Sequence, residues 1–240
     1  MNRPGAFKIT DKAMEICELP KGARFLEIGC GEGETTERLE RYYGYQVSAI
    51  DLSLKMVDIA KKRGLNAKIS LGDGEFLDEY TSKTFDGVIM ECVLSRINLP
   101  DEALHEAYCV LKDDGKLVIS DLYLKNPDPG MVLALDIEAK RMAKIPHEDS
   151  SCSDDCADEH KQRLVNFRYE GVFLLEPLKQ TLHEMNFTIL AVEDYSADLD
   201  VYVAESIFAG KEYLTRESVP KGTGYFLLVA QKGGKDGKNE

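Results

Sequence analysis

The chain has 240 residues, 43% of them hydrophobic, enough for one domain with a sizeable core or one domain carrying an elaborated cap. Acidic residues number 43 against 30 basic ones, and the resulting net charge of −13 argues against nucleic acid as a partner. No stretch reaches the roughly 18 apolar residues of a membrane span, and residues 1–20 lack the apolar core of a secretory signal, so a cytoplasmic protein with reduced thiols is expected.

Residues 1–23 are read as an N-terminal helix. A short apolar strand over 24–29 follows, then helical spacing over 34–44 that Gly44 can end. "QVSAID" (46–51) reads as a second strand. Residues 53–64 form a helix with Ser53 as N-cap, Met56, Val57 and Ala60 facing inward, and Gly64 at its end. A third strand is expected over 66–73 and a fourth over 84–91. Pro100 opens a helix over 100–115, with acids in its first turn, and a fifth strand follows over 116–123. Such alternation implies parallel βαβ units with helices on both faces of a sheet.

The rhythm then changes. Helical spacing over 131–144 leads into a polar loop over 145–160. A helix over 171–185, a strand over 187–195, a helix over 198–210 and a last strand over 224–232 complete the chain. The expected division is a core over 24–125, a cap insertion over 126–170, the remainder of the core sheet over 171–232 and a flexible tail over 233–240. Open α/β sheets bind ligands at the C-terminal edge of their strands, where such a cap would lie.

That edge carries "FLEIGCGEG" at 25–33. Bare backbone at alternate positions lets the chain approach a ligand closely. A nucleotide P-loop fails, because Gly33 is followed by Glu34 and Thr35 rather than by Lys and Ser or Thr. A dinucleotide fingerprint fails as well, because its third glycine would be residue 34, which is Glu34. A glutamate there would aim negative charge at the helix N-terminus on which a pyrophosphate would rest. A ligand without phosphate, and with cationic character, fits better; a tight strand–helix turn with no ligand is the alternative.

"LEIGCGEG" closely resembles the first motif of class I S-adenosylmethionine-dependent methyltransferases, E/D-x-G-x-G-x-G. The resemblance implies that Gly29, Gly31 and Gly33 pass under the methionine and ribose of S-adenosylmethionine and that Glu27 sits beside its amino group. Asp51 ends the second strand, where a carboxylate can accept the ribose hydroxyls. "DLSLKMVDIA" resembles the family's D-x-S-x-x-M-x-x-x-A, which implies Leu52 against the adenine and Met56 nearby, although Met56 also fits a plain core position. "GDGEFL" resembles the segment that puts an acid on the adenine amino group. Asp73 would take that role and Gly74 would offer its amide to a ring nitrogen; a solvated turn is the alternative. "FDGVIMECVLSRI" resembles the fourth strand and its exit, which implies Glu91 and Cys92 beside the cofactor, Cys92 fitting equally a packed thiol. "VLKDDGKLVISDLY" matches the family's VLKPGG-L, with Asp113 and Asp114 replacing Pro-Gly. The resemblance covers residues 24–124. It implies a Rossmann-like, mostly parallel seven-stranded sheet with helices on both faces and an inserted helical cap.

The implied activity is methyl transfer to a small-molecule acceptor. A base is needed only where the acceptor carries a proton at neutral pH. The core also resembles quinone and arsenite methyltransferases, and on that resemblance Asp121 and Tyr123 are substrate-side candidates. The loop "HEDSSCSDDCADEH" spaces His147, Cys152, Cys156 and His160 as H-x4-C-x3-C-x3-H. No resident metal is expected at this off-pattern spacing, although such soft ligands can hold zinc or capture a soft substrate. An acidic loop that merely contains two thiols is the alternative. A non-catalytic S-adenosylmethionine-binding module and a nicotinamide-dependent oxidoreductase remain open as other functions.

Overall fold

The computed structural model describes residues 3–142, 166–209 and 222–234. Strand β1 (Arg24–Ile28) is buried at four of its five positions, as a strand covered on both faces must be. It pairs in parallel with β2 (Gln46–Asp51) on one side and β4 (Phe85–Glu91) on the other. β3 (Lys68–Leu71) extends the sheet beyond β2, and β5 (Leu111–Leu124) beyond β4, again in parallel. β9 (Thr223–Lys232) lies antiparallel against β5 and also pairs antiparallel with β8 (Phe187–Asp194). The main sheet therefore runs β3-β2-β1-β4-β5-β9-β8, seven strands of which only β9 is reversed. This is the expected α/β architecture.

Alternation along the strands separates two cores. Leu26, Ile28, Val88 and Met90 face α4 (Pro100–Val110) and α6 (Leu175–Glu184), packing with Leu104, Ala107, Leu178 and Leu182. Phe25, Val47, Ile89 and Val118 face the other way. They pack with Ile9 and Met14 of α1 (Phe7–Cys17) and Leu199 and Val203 of α7 (Ser196–Phe208). Cys17 and Cys109 are buried small hydrophobes, as their apolar settings suggest.

Three features depart from the sequence pattern. α4 stops at Val110 and β5 begins at once, with Asp114 in the left-handed region (φ +63°) that a glycine would occupy more cheaply. α2 (Glu34–Glu37) runs into a wider π-turn over Arg38–Tyr42, so that the Tyr43 N–H bonds the Arg38 carbonyl at 3.4 Å. A small hairpin, β6 (Arg168–Tyr169) and β7 (Val172–Phe173), precedes α6, and β7 touches β5 through Phe173 and Tyr123. Of the expected cap, α5 (Pro129–Met142) is described, whereas His147, Cys152, Cys156 and His160 lie outside the described residues. Among the described residues no helix is long and apolar enough to cross a membrane.

Candidate functional site

The C-terminal ends of β1, β2 and β4 meet at one edge of the sheet. β1 leaves it through Gly29, Gly31 and Gly33, all left-handed, with φ of +76°, +52° and +77°. The N–H groups of Gly29 and Cys30 donate to the Ile50 carbonyl at 2.8 and 2.9 Å, stitching the turn to β2. The Asp51 carboxylate then accepts from Gly31 N–H through Oδ2 and from Ser53 N–H through Oδ1, each at 2.8 Å. A carboxylate has about four acceptor positions, so two backbone bonds leave capacity for ligand hydroxyls. A Cβ on Gly29 would strike Val93 and one on Gly33 would strike Ala60, but one on Gly31 meets nothing within 4 Å. Gly31 is thus the position whose bare backbone borders open space.

Apolar and polar walls continue from this turn. Leu52, directly after Asp51, is 71% exposed, and Met56 is half-buried. Asp73 lies after β3, two residues beyond Leu71, the register partner of Asp51. Its Oδ1 accepts from the Glu75 N–H at 3.0 Å, and Gly74 is packed so closely on Ile28 that a Cβ would collide.

Acids and one guanidinium gather on the other side of the turn. Glu27 is buried, accepts a hydrogen bond from the Thr36 hydroxyl, and is pushed up to about 8 chiefly by burial, with Glu91 adding to the rise. Glu91 accepts from Thr10 (2.8 Å) and Thr35 (2.7 Å) and forms an ion pair with Arg3. Arg3, Thr10 and Thr35 have no place in the sequence motifs. No local signal could have found them, because they lie 88, 81 and 56 residues from Glu91. Glu34 is 3.9 Å from Arg63, which also pairs with Glu37. Its charge is balanced locally, so the case against a phosphate ligand rests on glycine spacing and the acids Glu27, Asp51 and Glu91.

Beyond Glu91 the chain turns sharply at Cys92, a non-glycine residue at φ +55°. Its thiol is 2.9 Å from the Tyr225 hydroxyl, which donates to Ser120 Oγ at 3.1 Å. Burial, with Asp121 nearby, pushes the Cys92 thiol up to about 12. Asp121 is fully buried and is raised to about 6 by that burial, even though it accepts the N–H groups of Ser95 (2.9 Å) and Leu122 (2.8 Å). It anchors the loop that follows β4. Tyr123 packs edge-on against Phe226 and its hydroxyl bonds toward Asp194 and Ser196, away from Cys92. Thus Cys92 and Asp121 are brought together, whereas Tyr123 belongs to the β9–α7 side. Among the described residues no group of three or more His, Cys, Asp or Glu side chains is arranged to hold a metal.

This edge can be compared with known proteins. Residues 26–119 match the family model for a methyltransferase domain. Demethylmenaquinone methyltransferase of Renibacterium salmoninarum is 33% identical over 130 residues, covering 54% of this chain and 54% of the relative. Phosphoethanolamine N-methyltransferase 1 of Triticum aestivum is 30% identical over 127 residues, 51% of this chain but 25% of the relative. The chain therefore spans between a quarter and about half of the curated relatives it matches. Haemonchus contortus phosphoethanolamine N-methyltransferase 2, solved with S-adenosyl-L-methionine, superposes with a TM-score of 0.67 at 16% identity, over 96% of this chain and 54% of that one. At that identity it shows a common fold. The match over residues 26–119 covers the βαβ core that carries the glycine turn and its acids, and this part of the chain is similar to a methyltransferase domain.

Proposed function

We propose that the chain transfers a methyl group from S-adenosylmethionine to a small-molecule acceptor. The observation that carries this is the left-handed Gly29–Gly33 turn, fastened by Asp51 and open only above Gly31. When bound, the cofactor supplies a methyl group already activated by its sulfonium. Asp51 offers its remaining acceptor positions to the ribose, Leu52 covers the adenine, and Asp73 with Gly74 reads the adenine edge. Glu91, and Glu27 once a ligand ammonium has drawn off its proton, surround the amino acid end with negative charge.

The acceptor's chemistry follows from the groups near Cys92. The thiol is held protonated by burial, and Asp121 is itself buried, its carboxylate turned to the N–H groups of Ser95 in the loop after β4 and of Leu122 in its own strand. Neither is poised to take a proton from an acceptor, and a base needs hydrogen-bond reach as well as a matched pKa. This favours an acceptor that brings its own nucleophile: a thiolate, an electron-rich quinol ring or a trivalent metalloid. The menaquinone relative agrees with the second of these; the phosphoethanolamine relative represents the amine alternative.

The test is an acceptor panel of thiols, quinols, arsenite and phosphoethanolamine, with labelled S-adenosylmethionine and the full chain. Label should pass to a member of the first three groups and not to phosphoethanolamine. Cofactor binding without transfer to any acceptor would favour a non-catalytic binding module.

A further inference from the structure

Between β4 and α4 the chain crosses the cofactor edge as a loop, Val93–Leu99, which side chains from three other segments hold in place. Val93 lies on the glycine turn, where a Cβ on Gly29 would come within 2.3 Å of its side chain. Ile97 lies at the other end of the loop, where a Cβ on Gly74 would come within 3.3 Å of it. Backbone groups in such a loop need partners outside any ladder. The Ser95 N–H finds Asp121 at 2.9 Å, and the N–H groups of Asn98 and Leu99 share Glu75 Oε1 at 2.9 and 3.1 Å. Three of the carbonyls go to one guanidinium. Arg168 Nη1 donates to those of Ser95 (3.4 Å) and Ile97, and Nη2 donates to that of Asn98 (2.8 Å).

Arg168 opens β6, at the end of the stretch that the sequence marks as a cap. Its hairpin is rooted in the core: Phe167, Phe173 and Leu174 are buried, the Leu174 N–H donates to the Phe167 carbonyl at 2.8 Å, and Phe173 pairs with Tyr123 of β5. The base of the arginine is therefore fixed relative to the sheet. Among the described residues no carboxylate pairs with Arg168, and every side-chain hydrogen bond it makes goes to this one loop. An arginine that served only its own hairpin would bond within it or to a nearby acid. Charge-assisted bonds are the stronger kind, and a planar fork fixes direction as well as distance. Three such bonds on the carbonyls of residues 95–98 set where the loop lies, and with it the Val93 and Ile97 side chains at the two ends of the cofactor site.

We propose that Arg168 is a positioning residue of the cofactor site, gripping the Val93–Leu99 loop so that it closes the site between the glycine turn and the segment after β3. This rests on the cofactor assignment above. The test reads amide hydrogen exchange and S-adenosylhomocysteine affinity in the full chain and in its Arg168→Ala and Arg168→Lys variants. The amides of Ser95, Asn98 and Leu99 report on the loop, because their own acceptors are Asp121 and Glu75. Arg168→Ala should speed their exchange at least about tenfold and leave the β1 and β4 amides unchanged, as a local opening does. It should also weaken S-adenosylhomocysteine about three- to tenfold, the scale of a hydrogen bond's worth of lost order. Arg168→Lys should recover part of both effects, since an ammonium keeps the charge and the donors but not the fork. Unchanged loop exchange would overturn the inference, as would a lysine variant no better than alanine or a loosened loop with unchanged affinity. Equal acceleration in β1 and β4 would make Arg168 a residue of the fold and overturn it too. A parent chain that does not bind S-adenosylhomocysteine would instead overturn the cofactor assignment, and this inference with it.

Discussion

Glu27 sits at the end of β1 with its carboxyl out of water, and burial raises it from an ordinary 4.5 to about 8. An acid raised on folding binds more protons in the folded state. Its contribution to stability is therefore present at acid pH and is lost as pH climbs from about 4.5 through about 8. A ligand ammonium acts in the opposite direction, because it stabilises the ionised form and expels the proton. Glu91, Arg3 and Asp51 face the same group. S-adenosylhomocysteine should bind more tightly at about pH 8 than at about pH 6 and should release a proton, detected as buffer-dependent heat. Glu27→Gln should flatten both effects. An affinity independent of pH in the parent would remove Glu27 from the amino-group contact. At this scale the glycine turn was legible, because left-handed backbone favours glycine, and Asp51 is found bonded to it. Arg3, Thr10 and Thr35 were not, since polar residues in or before a helix carry no mark of a partner far along the chain.

Among the elements, β1 and β4 are tied by a fit that permits no side chain at one position. Phe25 pairs in register with Gly87, and a Cβ on Gly87 would lie 2.4 Å from the Phe25 ring. Phe25 is fully buried and stacks on Tyr45 at 5.2 Å, so the ring has nowhere to move. Gly87→Ala should destabilise the fold by about 1–3 kcal/mol, the usual cost of overpacking, and a thermal melt reads it directly. An unchanged melting temperature would mean that the strands separate more easily than their packing indicates. The strands and helices themselves were legible from their two periodicities. The hairpin of β6 and β7 was not. Its turn uses Glu170 at φ +48° before Gly171 at φ +78°, where Asn or Asp is the usual signal. Asp114 hides the start of β5 for a similar reason, as a left-handed residue without glycine's signature.

In the whole molecule the site draws on both ends of the chain. α1 packs against the sheet face that also carries Val118 and Val229, and Lys8 bonds Asp198 of α7 at 2.9 Å. β9 returns between β5 and β8 and places Tyr225 against Cys92, 133 residues away. The resemblance over residues 24–124 does not reach Arg3 or Tyr225, which lie against Glu91 and Cys92. The central claim is that the turn at Gly31 is where the cofactor lies. It is tested most directly by titrating S-adenosylhomocysteine into the parent and into Gly31→Val, with a nicotinamide dinucleotide as the control ligand. The left-handed backbone at Gly31 charges valine about 1–2 kcal/mol, so the variant should still fold. The parent should bind S-adenosylhomocysteine and ignore the dinucleotide, and folded Gly31→Val should bind neither. Equal affinity in the variant, or preference for the dinucleotide in the parent, would contradict the claim.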